Sequence, residues 1–260
     1  MLLEGRAAVV VGVGPGIGRE AALALAREGA DVALGARTED RLKEVASEIE
    51  ALGRRAVYVP TNIAQSDDCT ALADACVRAF GRIDALVQNA FKQPPMRRIE
   101  DEDAKEWERA FKINVIGSIS MAKAVLPRMK EQSSGSIVFV SSLSARNADV
   151  ELGAYSAAKA ALLSVARTMA REWGGYGIRV NSVAPGHVWG PNLQWYFDFL
   201  ATQQGRTPED VKAEVDALSP LNKIATSEEV ARAILFLASD LSSGMTGQTI
   251  DVNAGAWMPL

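Results

Sequence analysis

Tyr155 and Lys159, with Ser142 thirteen residues before the tyrosine, are the residues whose types and spacing suit proton transfer. Four residues apart on a helix, the tyrosine and lysine side chains lie one above the other on the same face. A phenol titrates near 10 in water and is a poor base at neutral pH. An ammonium about 4 Å away, at an effective dielectric near 20, favours the phenolate by roughly 4 kcal/mol, or about three pKa units. That shift is expected to bring Tyr155 close to the working pH, where an acid/base group is most effective. Ser142 ends the apolar run Ile137-Val138-Phe139-Val140, which reads as a buried strand, and its hydroxyl is placed to bond the same substrate oxygen. Tyr-x-x-x-Lys recurs by chance in many helices, so the rest of the chain must decide its meaning.

The elements that would position these residues alternate along the chain. Strand-length apolar runs at 7–11, 32–36, 56–59, 85–88, 137–140, 179–183 and 249–252 alternate with helical patterns. That order argues for a parallel sheet covered on both faces. Gly29 and Gly53 are placed to end the first two helices, and Thr38 reads as the N-cap of the second. A long helical stretch from about 101 to 129 carries Pro127, expected to fray or kink its end. Thr226 and Glu229 form a capping box for the last helix. No internal repeat, low-complexity tract or long linker divides the chain, so residues 1–260 read as one domain.

Composition narrows the class of function. Hydrophobic residues make up 48% and charged residues 23% of the chain, enough apolar material for a large core. A net charge of -4 with interspersed signs leaves no basic footprint for nucleic acid. Apolar runs are too short to span a membrane, and no cleavable leader is apparent. Cys69 and Cys76 fall on one helix, about 10 Å apart and too far to bridge, which fits a reducing cytoplasm. A single histidine and no cysteine cluster argue against a bound metal.

After the first strand comes Gly12-Val13-Gly14-Pro15-Gly16-Ile17-Gly18. Glycines permit a tight turn and let backbone amides approach a pyrophosphate, while the helix N-terminus favours negative charge. The fold expected is therefore α/β, a single-domain doubly wound (Rossmann) parallel sheet of about seven strands with helices on both faces.

With Gly12, Gly16 and Gly18, Asn89-Ala90, Asn114, Ser142, Tyr155/Lys159 and Pro185-Gly186 in this order, the chain resembles the short-chain dehydrogenase/reductase family over nearly its whole length. The resemblance implies a role for each. Tyr155 is the acid/base at the substrate oxygen, Lys159 lowers its pKa and bonds the nicotinamide ribose, and Ser142 orients the carbonyl or alcohol. Asn114 holds a relay water. Gly12, Gly16, Ile17 and Gly18 cradle the dinucleotide, with Asn62 and Ile63 at its adenine and Asn89 and Ala90 near its ribose. Pro185, Gly186 and Val188 lie at its nicotinamide, where the cofactor carries the hydride.

Where NAD-preferring relatives place an acidic residue after the second strand, this chain has Ala36 and then Arg37. An arginine pairs with a 2′-phosphate, so NADP(H) is the expected cofactor and NAD(H) the alternative. Val11, Asn62, Phe91, Gly190 and Asn253 depart from the family pattern, Phe91 replacing the glycine of Asn-Ala-Gly. The segment at about 187–208, dense in aromatic residues, reads as a substrate lid, with Trp189 and Trp195 expected to contact a bulky apolar substrate. His187 is the lone histidine, its setting explained by the turn. Relatives pair the Asn114 and Tyr155 helices into tetramers, so a homotetramer is expected, with the apolar 257–260 tail a candidate interface cover. The function implied is interconversion of a secondary alcohol and a ketone. The alternatives are a dinucleotide-sensing regulator, which usually lacks the tyrosine or lysine, and an enoyl reductase, whose relatives space the pair more widely.

Overall fold

Near-continuous β-branched and alanine runs form the strands, because both faces of the sheet are covered and no polar alternation is needed. The structure, a computed structural model, describes residues 1–92, 95–147 and 149–258. The first half runs β1 (Ala7–Val11), α1 (Ile17–Arg27), β2 (Asp31–Ala36), α2 (Glu39–Ala51), β3 (Ala56–Pro60), α3 (Ser66–Phe80) and β4 (Ala85–Gln88). The second half runs α4 (Ala104–Phe111), α5 (Ser118–Gln132), β5 (Gly135–Val140), α6 (Gly153–Trp173) and β6 (Ile178–Pro185), then β7 (Val188–Trp189), α7 (Pro191–Gln204) and α8 (Pro208–Ala217). It closes with β8 (Ala225–Thr226), α9 (Ser227–Ala238) and β9 (Thr249–Val252).

Seven strands make one parallel sheet in the order β3-β2-β1-β4-β5-β6-β9. Because side chains alternate across a strand, each run splits between two cores. Ala8 and Val10 of β1 join α1, α2 and α9, whereas Val9 and Val11 join α3, α5 and α6. Phe139, fully buried in the second core, stands for the scale: truncation to alanine there costs about 3–5 kcal/mol. Cys69 and Cys76 lie buried and unbridged on α3. Burial pushes their thiols up to about 11 and about 12, so both are inert packing groups.

Local expectations are met in some places and corrected in others. Pro127 neither ends nor frays α5, which continues to Gln132. Met121, Val125 and Met129 pin that helix to the core on both sides of the proline, and packing outweighs the ~3 kcal/mol penalty of an interior proline. Thr38 is the N-cap of α2 but its side chain makes no cap bond. The Thr226–Glu229 capping box forms with both reciprocal bonds. Between α4 and α5 the helix widens into a π-turn, Lys112–Gly117, which contains Asn114. The 187–208 segment, expected to be a lid, contains β7 and α7, and α7 packs on α8 around a small core of Phe197, Ala201, Val211 and Ile224. Its aromatic spacing shows no single apolar face because the helix buries one side and leaves Trp195 and Phe199 open.

Candidate active site

Neighbouring strands leave β1 in opposite directions, toward β2 on one side and β4 on the other. Beyond the carboxyl ends of the strands this makes a crevice. The glycine turn fills its floor. Gly12 has φ 87, and a Cβ there would stand 2.2 Å from the Ala90 nitrogen, so the β4 loop crosses where any side chain would be. A Cβ on Gly18 would fall 2.2 Å from the Gly12 carbonyl. Asn89 holds the crossing from above: its Nδ2 donates to the Gly12 carbonyl at 2.8 Å and its backbone N–H to Val11 at 2.9 Å. Asn89 thus braces the turn rather than merely facing the crevice. Gly16 is the N-cap of α1, and Ile17 packs its side chain against the first core.

A cavity of about 530 Å³ opens over this turn. Of the residues expected to hold a dinucleotide, Gly12, Arg37, Asn62, Ile63, Asn89 and Ala90 line it. Asn62 accepts from the Ala64 N–H at 3.1 Å, an Asx turn that presents the 62–63 segment to the cavity. Three lining cations were not anticipated: Arg41 on α2, Lys92 in the loop after β4 and Arg109 on α4. Arg41 carried a readable signal, since a cation in the first turn of a helix opposes the helix dipole and calls for another partner. Arg109 pairs with Glu106 at 2.8 Å; nothing in its spacing marked it.

At the crevice wall formed by β5 and α6 stand Ser142, Tyr155 and Lys159. Ser142 lies two residues past β5, as the N-cap of a short 3-10 turn, and its Oγ accepts the Ser144 N–H at 3.2 Å. That leaves its hydroxyl hydrogen for another acceptor, and the hydroxyl beside the Tyr155 phenol favours the phenolate. Lys159 is 2% exposed and donates from Nζ to the Val140 carbonyl at 2.7 Å. Its nitrogen lies 5.7 Å from the centre of the Tyr155 ring.

The expected fall in the Tyr155 pKa is corrected to a rise. Burial pushes the phenol up to about 12, with the Ser142 bond opposing and the Asp149 charge reinforcing the rise. Burial also pulls Lys159 down to about 7. An ammonium turned toward a backbone carbonyl, and itself desolvated, cannot deliver the stabilisation that a 4 Å approach implied.

Asn114 is 1% exposed in the π-turn, its Oδ1 held by the Lys92 N–H at 3.0 Å, while its Nδ2 is buried without a hydrogen-bond partner. On the opposite side, Gly186 donates to the Val252 carbonyl at 3.1 Å, which carries the chain from Pro185 at the end of β6 into β7. Val188 pairs with Ala225 there. Trp189 packs on Phe197, and Trp195 stacks on Phe199 with 68% of its surface exposed; the described ring contacts of both tryptophans are to residues of α7 and α8. Of the tail, residues 259–260 lie outside the described residues. No helix among the described residues is long and apolar enough to cross a membrane, and no metal-binding cluster of His, Cys, Asp and Glu occurs among them.

Comparison with known proteins now bears on this arrangement. A family model described as enoyl-(acyl carrier protein) reductase matches residues 12–256. The short chain dehydrogenase/reductase astE of Aspergillus oryzae is 37% identical, over 97% of this chain and 95% of its own. The chain belongs to the short-chain dehydrogenase/reductase family. Within that family, cis-4-hydroxycyclohexanecarboxylate dehydrogenase of Sinomonas cyclohexanicum is 36% identical over 96% of both chains. The structure of L-sorbose reductase from Gluconobacter frateurii, complexed with NADPH and L-sorbose, superposes with TM-score 0.94 at 28% identity, covering 100% of each chain. That of NAD+-bound xylitol dehydrogenase superposes with TM-score 0.91 at 27% identity, covering 98% of this chain and 100% of its own. The fold of the short-chain dehydrogenase/reductase family is therefore the fold of this chain, and the chain is an oxidoreductase by family.

Proposed function

We propose that the protein is an NADP(H)-dependent oxidoreductase that interconverts a secondary alcohol and a ketone. The observation that carries the reading is the meeting of Ser142, Tyr155 and Lys159 on the crevice wall beside the glycine turn. The residues suit a dinucleotide: a turn at Gly12 and Gly18 that any Cβ would block, and an unpaired buried amide at Asn114. Gly12, Gly16 and Gly18 would hold the pyrophosphate, Arg37 and Arg41 a 2′-phosphate, and Asn62 and Ile63 the adenine. Pro185, Gly186 and Val188 would hold the nicotinamide end. The nicotinamide, when bound, supplies or accepts the hydride.

The chain's own residues do the rest. Ser142 donates to the substrate oxygen and keeps it within reach of Tyr155. In the reductive direction the phenol passes its proton to that oxygen, and the raised phenol pKa keeps the proton in place beforehand. Lys159, turned from the Val140 carbonyl toward the cleft, would stabilise the phenolate left behind. Asn114 would offer its free Nδ2 to a water that returns the proton.

NADP(H) over NAD(H) rests on Arg37 and Arg41, with no carboxylate lining that cavity. Both cofactors occur among solved relatives. A bulky, partly apolar substrate rests on the aromatic lid and on a relative named for an alicyclic hydroxy acid. Trp189 and Trp195 would meet that substrate on lid closure. We read residues 1–260 as one domain and the assembly as a cytoplasmic homotetramer; a monomer mass by light scattering at micromolar concentration would refute the latter.

The second reading, an enoyl reductase, is favoured by the description of the family model. One experiment separates the two: NADPH oxidation with cyclic, aromatic and acyl-thioester ketones beside an enoyl thioester. Ketone turnover, lost by 10²–10⁴-fold in Tyr155→Phe with NADPH binding kept, is the expected result. Turnover of the enoyl thioester alone would overturn the proposal, as would full ketone turnover by the variant.

A further inference from the structure

The place after Asn89-Ala90, a glycine in the family pattern, is held by Phe91. Its ring is 43% exposed to the crevice. Both of its described ring contacts are to the reacting pair. It meets the Tyr155 ring edge-on, centroids 6.4 Å apart at 66°, and its centroid lies 5.8 Å from the Lys159 Nζ. With Tyr155 at 5.7 Å, the ammonium has two neighbouring aromatic rings within 6 Å and the Val140 carbonyl as hydrogen-bond partner. Almost no water reaches it, since Lys159 is 2% exposed. A cation within about 6 Å of a ring centroid is drawn to the ring quadrupole, more strongly where water is excluded.

We propose that Phe91 is a positioning residue that, together with the Tyr155 ring, holds the Lys159 side chain in its charged form beside the phenol, a task that a glycine at this place would leave to water. This rests on the reading of Tyr155 and Lys159 as the reacting pair. Burial works against the charge and takes Lys159 down to about 7; the ring quadrupoles oppose that fall. The other titratable groups around it are accounted for. On α6 there is Tyr155. From the 142–153 loop, Asp149 acts on Tyr155, and from the β4 loop the Lys92 Nζ pairs with Glu106 at 2.7 Å. Asn114, Ser141 and Ser142 carry no charge.

Replacing the ring by an aliphatic group of similar bulk removes the quadrupole and still keeps water out. Phe91→Leu therefore lets Lys159 lose its proton at lower pH, by about one pH unit. Phe91→Trp, which presents a stronger quadrupole, keeps the charge. The test is the pH titration of the Lys159 ¹³Cε resonance in cofactor-free protein, assigned by its absence in Lys159→Met. It is accompanied by kcat against pH for NADPH-dependent ketone reduction. Expected are a lower Lys159 midpoint in Phe91→Leu, kcat down about tenfold at pH 8, KM for NADPH within about twofold, and recovery of both readouts in Phe91→Trp. Phe91→Met serves as a second ring-less variant. An unchanged midpoint in both ring-less variants overturns the proposal. The titration needs no turnover, so absence of any ketone substrate would defeat the alcohol–ketone reading and leave the Phe91 question decided separately.

Discussion

Replacing Lys159 by methionine should make the protein more stable while removing its activity. Methionine keeps most of the volume of the side chain and discards the charge. A fall from 10.5 to about 7, at about 1.4 kcal/mol per pKa unit, sets a ceiling of about 5 kcal/mol on the cost of burying that ammonium. Part is lost again, because the Val140 carbonyl gives up its 2.7 Å donor, at about 1–3 kcal/mol. Loss of the ring contacts takes a little more. The net expectation is about 2 kcal/mol of stabilisation near pH 6.5, roughly 4–8 °C in Tm for a chain of this size.

The pH dependence is specific. The unfolded chain keeps the lysine proton up to about 10.5, whereas the folded protein releases it near 7. Wild-type stability therefore rises with pH across that window. The burial penalty is complete below 7 and gone above 10.5, so the advantage of Lys159→Met must shrink steadily between them. Urea unfolding followed by tryptophan fluorescence at pH 6.5, 8 and 9.5, at one protein concentration and without dinucleotide, measures it. A variant less stable than wild type at pH 6.5, or a difference that stays constant to pH 9.5, would refute the reasoning.

Other outcomes follow from particular contacts. Arg37→Ala with Arg41→Ala should weaken NADPH roughly 10- to 100-fold relative to NADH, the worth of one or two charge-assisted bonds, measured by fluorescence titration; an unchanged ratio would reject the NADP(H) preference. Gly12→Ala places a Cβ 2.2 Å from the Ala90 nitrogen, so dinucleotide binding should be lost and the melting temperature should fall. Equal binding would show that the β4 loop yields. Asp149→Asn removes a charge that raises the Tyr155 pKa, so the phenol should titrate at lower pH. The acid limb of alcohol oxidation should move down with it; a limb that stays put or moves up contradicts the assignment of Tyr155.

Much of this was legible along the chain. Strands over 7–11, 85–88 and 249–252 come out at the expected bounds because continuous apolar runs with glycine breaks leave few alternatives. The capping box at Thr226 and the Tyr155–Lys159 register on α6 are local chemistry, readable at a spacing of three or four residues. The short β7–β8 pairing was not legible, since two-residue strands carry no periodicity. Nor was helix α8 after Pro208, whose 207–210 capping box went unread.

Residue order alone determined which groups can do chemistry and which strands carry them, because side-chain type and helical spacing are local properties. Tertiary structure decided their state. It set Lys159 against a carbonyl and near two rings, drove the phenol up and the ammonium down, brought Arg41, Lys92 and Arg109 to the cavity, and stood Phe91 beside the pair. Those outcomes depend on burial and on neighbours distant in sequence, and dielectric and proximity exist only once the chain has packed.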